Sequence, residues 1–165
     1  MNISGDIGFG SHLPILIKIV GMTTGPILEL GMGMYSTPFL HWACFNAKRK
    51  LVSLDSDYEC YTINRSYGRS DYHEVRFVQN WDEVDLAGFW DVVLIDHERD
   101  RRIYEIQKVV NSANYIIVHD SEGRRDKYYK YSQIYPLFKY RYDFAKITPF
   151  TVVLSNFKDL SDLCD

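Results

Sequence analysis

Gly25-Pro-Ile-Leu-Glu-Leu-Gly-Met-Gly-Met-Tyr-Ser-Thr-Pro38, followed one helix length later by Leu51-Val-Ser-Leu-Asp-Ser-Asp57, is the stretch that decides the fold. An apolar strand reaches Glu29 and breaks into a glycine turn; a helix follows, and a second apolar strand ends on an acid. Gly31 and Gly33 let the backbone approach a ligand closely. Asp55, 22 positions beyond Gly33, falls where a parallel sheet that binds nucleosides places its ribose carboxylate. A ribose-containing ligand is therefore expected, held by Glu29, Gly31, Gly33 and Asp55, with Ser36 and Thr37 at the head of the following helix.

Outward from this turn, apolar runs and helical periodicity alternate. Strands are expected at 26–30, 50–55, 74–79, 91–96 and 114–119, with helices at 36–47, 57–67, 82–88, 100–112 and 125–138 between and after them. Such alternation implies right-handed crossovers and a mostly parallel sheet. Upstream, Leu13, Leu16, Ile17 and Val20 fall on one helical face, with Ser11 as N-cap and Pro14 in the first turn. Downstream the pattern changes. Tyr140-Arg-Tyr-Asp-Phe144 and Phe150-Thr-Val-Val-Leu-Ser155 are β-like runs too close together for a helix, so they are expected to pair as an antiparallel hairpin. The expectation is a Rossmann-like α/β three-layer sandwich with a seven-stranded, mostly parallel sheet and a C-terminal antiparallel hairpin.

At 165 residues the chain is read as one domain, 1–165, with 1–11 as an N-terminal lid and 159–165 as a frayed acidic tail. A 46% hydrophobic and 25% charged composition excludes a disordered chain, and a net charge of −3 argues against a general nucleic-acid binder. Three widely spaced cysteines without a C-x-x-C pair fit neither a zinc site nor a disulfide framework and point to a reducing, cytoplasmic compartment. No signal peptide and no membrane span are read from the sequence, because Lys18 interrupts the only apolar run near the N-terminus.

Glu29-Leu-Gly-Met-Gly33, Asp55 and Asp91-Val-Val-Leu-Ile-Asp96, in this order and with the terminal hairpin, resemble the core of class I S-adenosylmethionine-dependent methyltransferases over nearly the whole chain. The resemblance implies that the glycine turn passes under the methionine moiety and that Asp55 binds the ribose hydroxyls. It also implies that Asn80 approaches the adenine amino group, with Trp81 available to stack on the ring. A sharper likeness lies in Val93-Leu-Ile-Asp-His-Glu-Arg-Asp100 and Ile117-Val-His-Asp-Ser121, which are similar to the metal-bearing strand ends of catechol O-methyltransferase and its relatives. Asp96 and Asp120 match that family's two magnesium-binding aspartates. Ser121 replaces its asparagine, and Arg99 replaces its basic lysine. Serine is a poorer magnesium ligand, and arginine stays protonated, so magnesium is a secondary expectation and His97 and His119 become the candidate bases.

The resemblance thus implies an enzyme that methylates a hydroxyl or amine of a small acceptor, with Asp96, His97, Arg99, His119 and Asp120 as catalytic candidates. Two alternatives stay open: a nicotinamide-dependent oxidoreductase using the same glycines and Asp55, and a cofactor-binding subunit or cofactor-degrading enzyme on the same fold. The stretch 124–142 carries six basic residues, one acid and six tyrosines, a mixture that suits single-stranded nucleic acid. Tyr128, Tyr131, Tyr135 and Phe138 recur at helical spacing, however, so a helix packing its aromatics on the sheet is the preferred reading. His41 and Trp42 are expected to pack, His12 to lie at the surface, and Met32 and Met34 to line the site. A homo-oligomer is compatible with the sequence.

Overall fold

Residues 7–163 are described in the computed structural model, and within them seven strands join one sheet in the order β3-β2-β1-β4-β5-β7-β6. They are β1 (Ile27–Leu30), β2 (Leu51–Asp55), β3 (His73–Phe77), β4 (Trp90–Ile95), β5 (Ala113–His119), β6 (Tyr140–Phe144) and β7 (Thr151–Ser155). β1 to β5 run parallel, β7 lies antiparallel to β5 with Ile117 opposite Val153, and β6 pairs antiparallel with β7. The Rossmann-like sandwich and its closing hairpin are thus as the sequence implies. Strand order reverses between β1 and β4, which opens a crevice beyond their carboxyl ends.

Among the described residues five α-helices accompany the sheet: α1 (Leu13–Met22), α2 (Ser36–Ala47), α3 (Tyr58–Asn64), α4 (Arg102–Val109) and α5 (Asp126–Tyr129). The central strands are apolar on both faces because both faces are covered. Leu28, Leu30, Val93, Ile95, Ile116 and Val118 pack with Ile106 and Val109 of α4. On the opposite face, Ile27, Leu51, Val92, Leu94 and Ile117 pack with Ile15, Leu16 and Ile19 of α1 and Leu40 of α2.

Gly31 closes β1 with φ +98°, and a Cβ placed there would stand 2.4 Å from the backbone carbonyl carbon of Asp96 and from the amide nitrogen of His97. Conformation and space both demand glycine, which brings the ends of β1 and β4 into contact. Behind the turn, Glu29 is fully buried. Its carboxylate accepts hydrogen bonds from Thr37 Oγ1 at 3.0 Å and Ser53 Oγ at 2.5 Å, while Thr37 Oγ1 accepts the Gly33 N–H at 2.9 Å. The chain continues from Ser53 to His73 at 2.8 Å and from His73 to His41 at 3.1 Å. Glu29 therefore holds the glycine turn through Thr37. Burial pushes its pKa up to about 7, against the hydrogen bonds from Ser53, Ser36 and Thr37.

The structure corrects several local expectations. The helix expected at 125–138 is α5 followed by 3-10 turns at Tyr131–Gln133 and Tyr135–Leu137. Lys130 takes φ +58°, Asp126 captures the N–H and hydroxyl of Ser132, and Pro136 offers no N–H to continue a helix. The aromatic packing survives without the helix: Tyr129 and Tyr131 are buried, whereas Tyr128 is exposed. The expected helices 57–67, 82–88 and 100–112 shorten to α3 with a 3-10 turn (Arg65–Arg69), a 3-10 turn (Trp81–Glu83) and α4. In α1 the buried stripe is Ile15, Leu16, Ile19 and Val20, and Ile17 is exposed. Ser11 does not cap this helix, and His12, expected at the surface, is 2% exposed. His41 is buried as expected, but Trp42 is exposed. The tail is not frayed as far as it is described, since Leu160 and Leu163 are buried. Of the N-terminal lid, 1–6 lie outside the described residues, as do 164–165 of the tail; Ile7–Gly10 form a 3-10 turn.

An ionised Glu29 opposes folding. With its folded pKa raised from 4.5 to about 7, this contribution leaves stability intact below the lower value and erodes it as pH rises between the two. Urea titrations across pH 4 to 8 should show Glu29→Gln flattening this decline and gaining about 3 kcal/mol relative to wild type by pH 8.

Candidate active site

Two connected cavities occupy the crevice at the carboxyl edge. The smaller, about 430 Å³, is lined by Met32, Asp55, Ser56, Asp57, His97 and Glu98, among others. The larger, about 900 Å³, is lined by Phe9, His12, Gly33, Ser36, His119 and Arg125, among others. They meet at Met32, Cys60 and Asp96. Asp55 is poised by its own backbone contacts: its oxygens accept the Met32 N–H at 2.7 Å and the Asp57 N–H at 2.8 Å. Each carboxylate oxygen has a second lone pair, so the acid retains acceptor capacity toward ligand hydroxyls. Burial raises the Asp55 pKa, against those backbone hydrogen bonds.

Beneath the larger cavity, Arg102 ties β4 to β5. Its Nε donates to His97 O at 2.7 Å and its Nη2 to Asp96 at 3.0 Å. Nη1 reaches His119 O at 3.1 Å, Asp120 at 3.2 Å and the Tyr131 hydroxyl at 3.3 Å. Burial works against this charge, but Tyr131, Asp96, Tyr129 and Asp120 more than offset it and raise its pKa. Asp120 sits at φ +61°, and both of its oxygens are engaged, one by Arg125 at 2.7 Å and the other by Arg102 and the Tyr129 hydroxyl at 2.8 Å.

The protonation state of His119 follows from its neighbours. Ser11 Oγ donates its only proton to Pro149 O at 2.6 Å, so it accepts from His119 Nε2 at 2.8 Å. The Asp96 carboxylate accepts from Nδ1 at 3.1 Å. His119 therefore carries both ring protons. Burial opposes that charge, yet Asp96 raises the pKa overall. Asp96 in turn is lowered: burial would raise it, but the His119 hydrogen bond and the Arg102 charge prevail. His12 meets the His119 ring edge-on at 4.8 Å, and neither of its nitrogens has a hydrogen-bond partner among the described residues. Burial lowers its pKa to about 4, leaving a neutral imidazole at the cavity wall.

The structure thus brings together most of the residues marked in the sequence. Gly33, Ser36, Asp55, Asp96, His97, His119 and Asp120 line the two cavities, while Gly31, Glu29 and Thr37 shape the turn from behind. Three candidates stand elsewhere. Asn80 is exposed and caps the turn at Trp81–Glu83; Trp81 is buried with its ring 4.4 Å from His97; Arg99 is exposed and lies over Tyr128 at 5.0 Å. None of these three lines either cavity. Met34 is exposed at the mouth of the larger one. His97 is held by Glu105 at 3.3 Å, and burial lowers its pKa despite that carboxylate.

Ser11, His12 and Arg102 are functional candidates that sequence reasoning passed over. Signals for two of them were present: His12 heads the stripe continued by Ile15, Leu16, Ile19 and Val20, and Arg102 shares a helical face with Ile106 and Val109. A charged or polar residue on a buried stripe calls for a partner.

No protein-family model matches this chain, and no curated protein matches its sequence. Solved structures do. Cofactor-bound Rv0187 from MTB superposes with a TM-score of 0.68 at 18% identity, covering 96% of this chain and 84% of that one. The O-methyltransferase from Bacillus cereus in complex with SAH gives 0.63 at 18% identity, over 89% and 80% of the two chains. The N-methyltransferase NodS from Bradyrhizobium japonicum WM9 gives 0.63 at 9% identity, over 94% and 99%. The chain has the class I methyltransferase fold. Within that fold, the glycine turn, Asp55 and Asp96 lie at the crevice described above.

Removing Arg102 would strand Asp96 and Asp120 without their shared cation. Arg102→Met should cost about 3–5 kcal/mol in urea unfolding. Arg102→Lys should recover little of it, because one ammonium cannot replace a planar fork reaching both strand ends.

Proposed function

We propose that the protein is an S-adenosylmethionine-dependent methyltransferase acting on a small acceptor. The observation that carries this reading is the Gly31 turn packed on Asp96 and His97, beside two adjoining cavities that share Met32, Cys60 and Asp96 and reach from Asp55 to His119. The cofactor-bound and SAH-bound structures of the same fold support it.

The residues present fit the cofactor. Asp55 and the smaller cavity would take the ribose, while Met32, Gly33 and Ser36 would border the methionine end. When bound, the cofactor would supply an electrophilic methyl group, leaving as S-adenosylhomocysteine while the acceptor would give up one proton. The chain itself contributes positioning and a charge-ordered wall. The neutral imidazole left to meet the acceptor's proton is His12, since His119 carries both ring protons, His97 is turned toward Glu105 and Arg99 lies outside both cavities.

Magnesium does not fit the residues that the resemblance assigned to it. Asp120 has both oxygens committed to Arg102, Arg125 and Tyr129, and Arg102 also binds Asp96, so a guanidinium serves both acids. A hard cation needing several free oxygens finds no such set in Asp96 and Asp120. Among the described residues, no helix is long and apolar enough to cross a membrane.

Isothermal titration calorimetry with S-adenosylhomocysteine should give saturable one-to-one binding, and Asp55→Asn should weaken it roughly 10- to 100-fold, the loss of one or two charge-assisted hydrogen bonds. Binding of NAD in its place would refute the reading. A thermal melt of the variant separates lost affinity from a collapsed turn.

A further inference from the structure

The larger cavity contains a side-chain set of which the arginine bridge uses only Asp96 and the ribose site none. His12, Asp96 and His119 offer three donor atoms that all lie within 4.8 Å of one another. They come from the residue preceding α1, the end of β4 and the end of β5, and all three line the cavity. His12 is the telling member. It is 2% exposed, and both ring nitrogens lack a hydrogen-bond partner among the described residues. A polar ring buried this way loses its hydration without replacement unless a ligand supplies the missing contact.

We propose that His12, Asp96 and His119 bind a first-row transition-metal dication, Zn²⁺ or Fe²⁺ in type. Two imidazoles and one carboxylate form a donor set for such metals and a poor one for magnesium. Bonds of about 2.1 Å put neighbouring ligands about 3.0–3.4 Å apart: His119 Nδ1 already lies 3.1 Å from Asp96 Oδ1, and a side-chain shift on binding draws together the rest of a set that spans up to 4.8 Å. The outer support is already built. With Nδ1 on the ion, His119 keeps its Nε2–H to Ser11 Oγ, and Ser11 keeps its own proton on Pro149 O, which fixes ring orientation as ligating histidines require. Arg102 donates to the same Asp96 oxygen, Oδ1, at 3.0 Å and so orients the carboxylate.

In the proton-only state described above, His119 supplies the positive charge that Asp96 faces. On binding, the dication takes that place and the Nδ1 proton leaves to solvent, so one charged partner of Asp96 is exchanged for another. Three protein ligands leave coordination positions open toward the cavity. If the methyltransferase reading holds, those positions accept an acceptor oxygen and lower its pKa, so that its proton leaves to solvent before transfer. The acceptor class is then an oxygen nucleophile able to coordinate a metal, which specifies the hydroxyl over the amine. The binding site itself does not depend on that reading.

The test is titration of the chelator-treated 165-residue chain with Co²⁺, followed through its visible ligand-field bands, and with Zn²⁺ by calorimetry, in the absence of any cofactor. One equivalent of each should bind at the same site, with Zn²⁺ displacing Co²⁺ and millimolar Mg²⁺ displacing neither. His12→Ala and Asp96→Asn should each weaken Zn²⁺ binding by at least about 100-fold, and Ser11→Ala by about 10-fold. Circular dichroism and melting curves establish that each variant is folded; if Asp96→Asn is not, His12→Ala carries the test. Absence of saturable Co²⁺ and Zn²⁺ binding, or wild-type affinity in folded His12→Ala, would overturn the metal site. S-adenosylhomocysteine titrated into the same samples reports separately on the cofactor crevice: its binding without metal affinity removes only the metal, and metal affinity without its binding removes only the transferase.

Discussion

The arrangement at the carboxyl edge depends on the Arg102 guanidinium. Two acids, Asp96 and Asp120, end adjacent parallel strands and face the same crevice, and two carbonyls, of His97 and His119, turn toward the same point. Left to themselves, these groups would repel and hold water. A planar cation with donors on three nitrogens can satisfy all of them at once, which a compact ammonium cannot. Arg102 is positioned by α4, whose Ile106 and Val109 are buried in the sheet face. Packing of an ordinary helix thus fixes the electrostatics of the site.

Charge order spreads outward from that arginine. Asp96, kept ionised, gives His119 a reason to stay protonated. His119 then uses both ring nitrogens, which removes it as a free base, and the neutral imidazole in the cavity is His12. Glu29 plays an equivalent part on the other side of β1, where it anchors the glycine turn through Thr37 at the cost of a raised pKa. The crevice is therefore held between a carboxylate behind the turn and a guanidinium beneath the strand ends.

Legibility in the sequence followed how local the determining physics is. Strand order, the hairpin, Gly31 and Asp55 could be read because a glycine turn and an acid at a strand end act through their own backbone. Helix boundaries failed where side chains captured the backbone instead, as Asp126 does with Ser132, turning 125–138 into a short helix and two 3-10 turns. Ser11 and His12 were misplaced because their partners, His119 and Pro149, lie more than a hundred residues away. The reading of Asp120 as a magnesium ligand missed that Arg125, five residues on, and Arg102 claim its oxygens first.

The proposed place for S-adenosylmethionine runs from Asp55 past Asp96 to His119, with its reactive end toward the His12 cluster. A crystal structure of the protein grown with S-adenosylhomocysteine tests this most directly. The ribose hydroxyls are expected on Asp55, the homocysteine over Gly33 and the sulfur facing the cavity that contains His12 and His119. Density for the nucleoside away from Asp55, or a thioether turned away from that cavity, would contradict it.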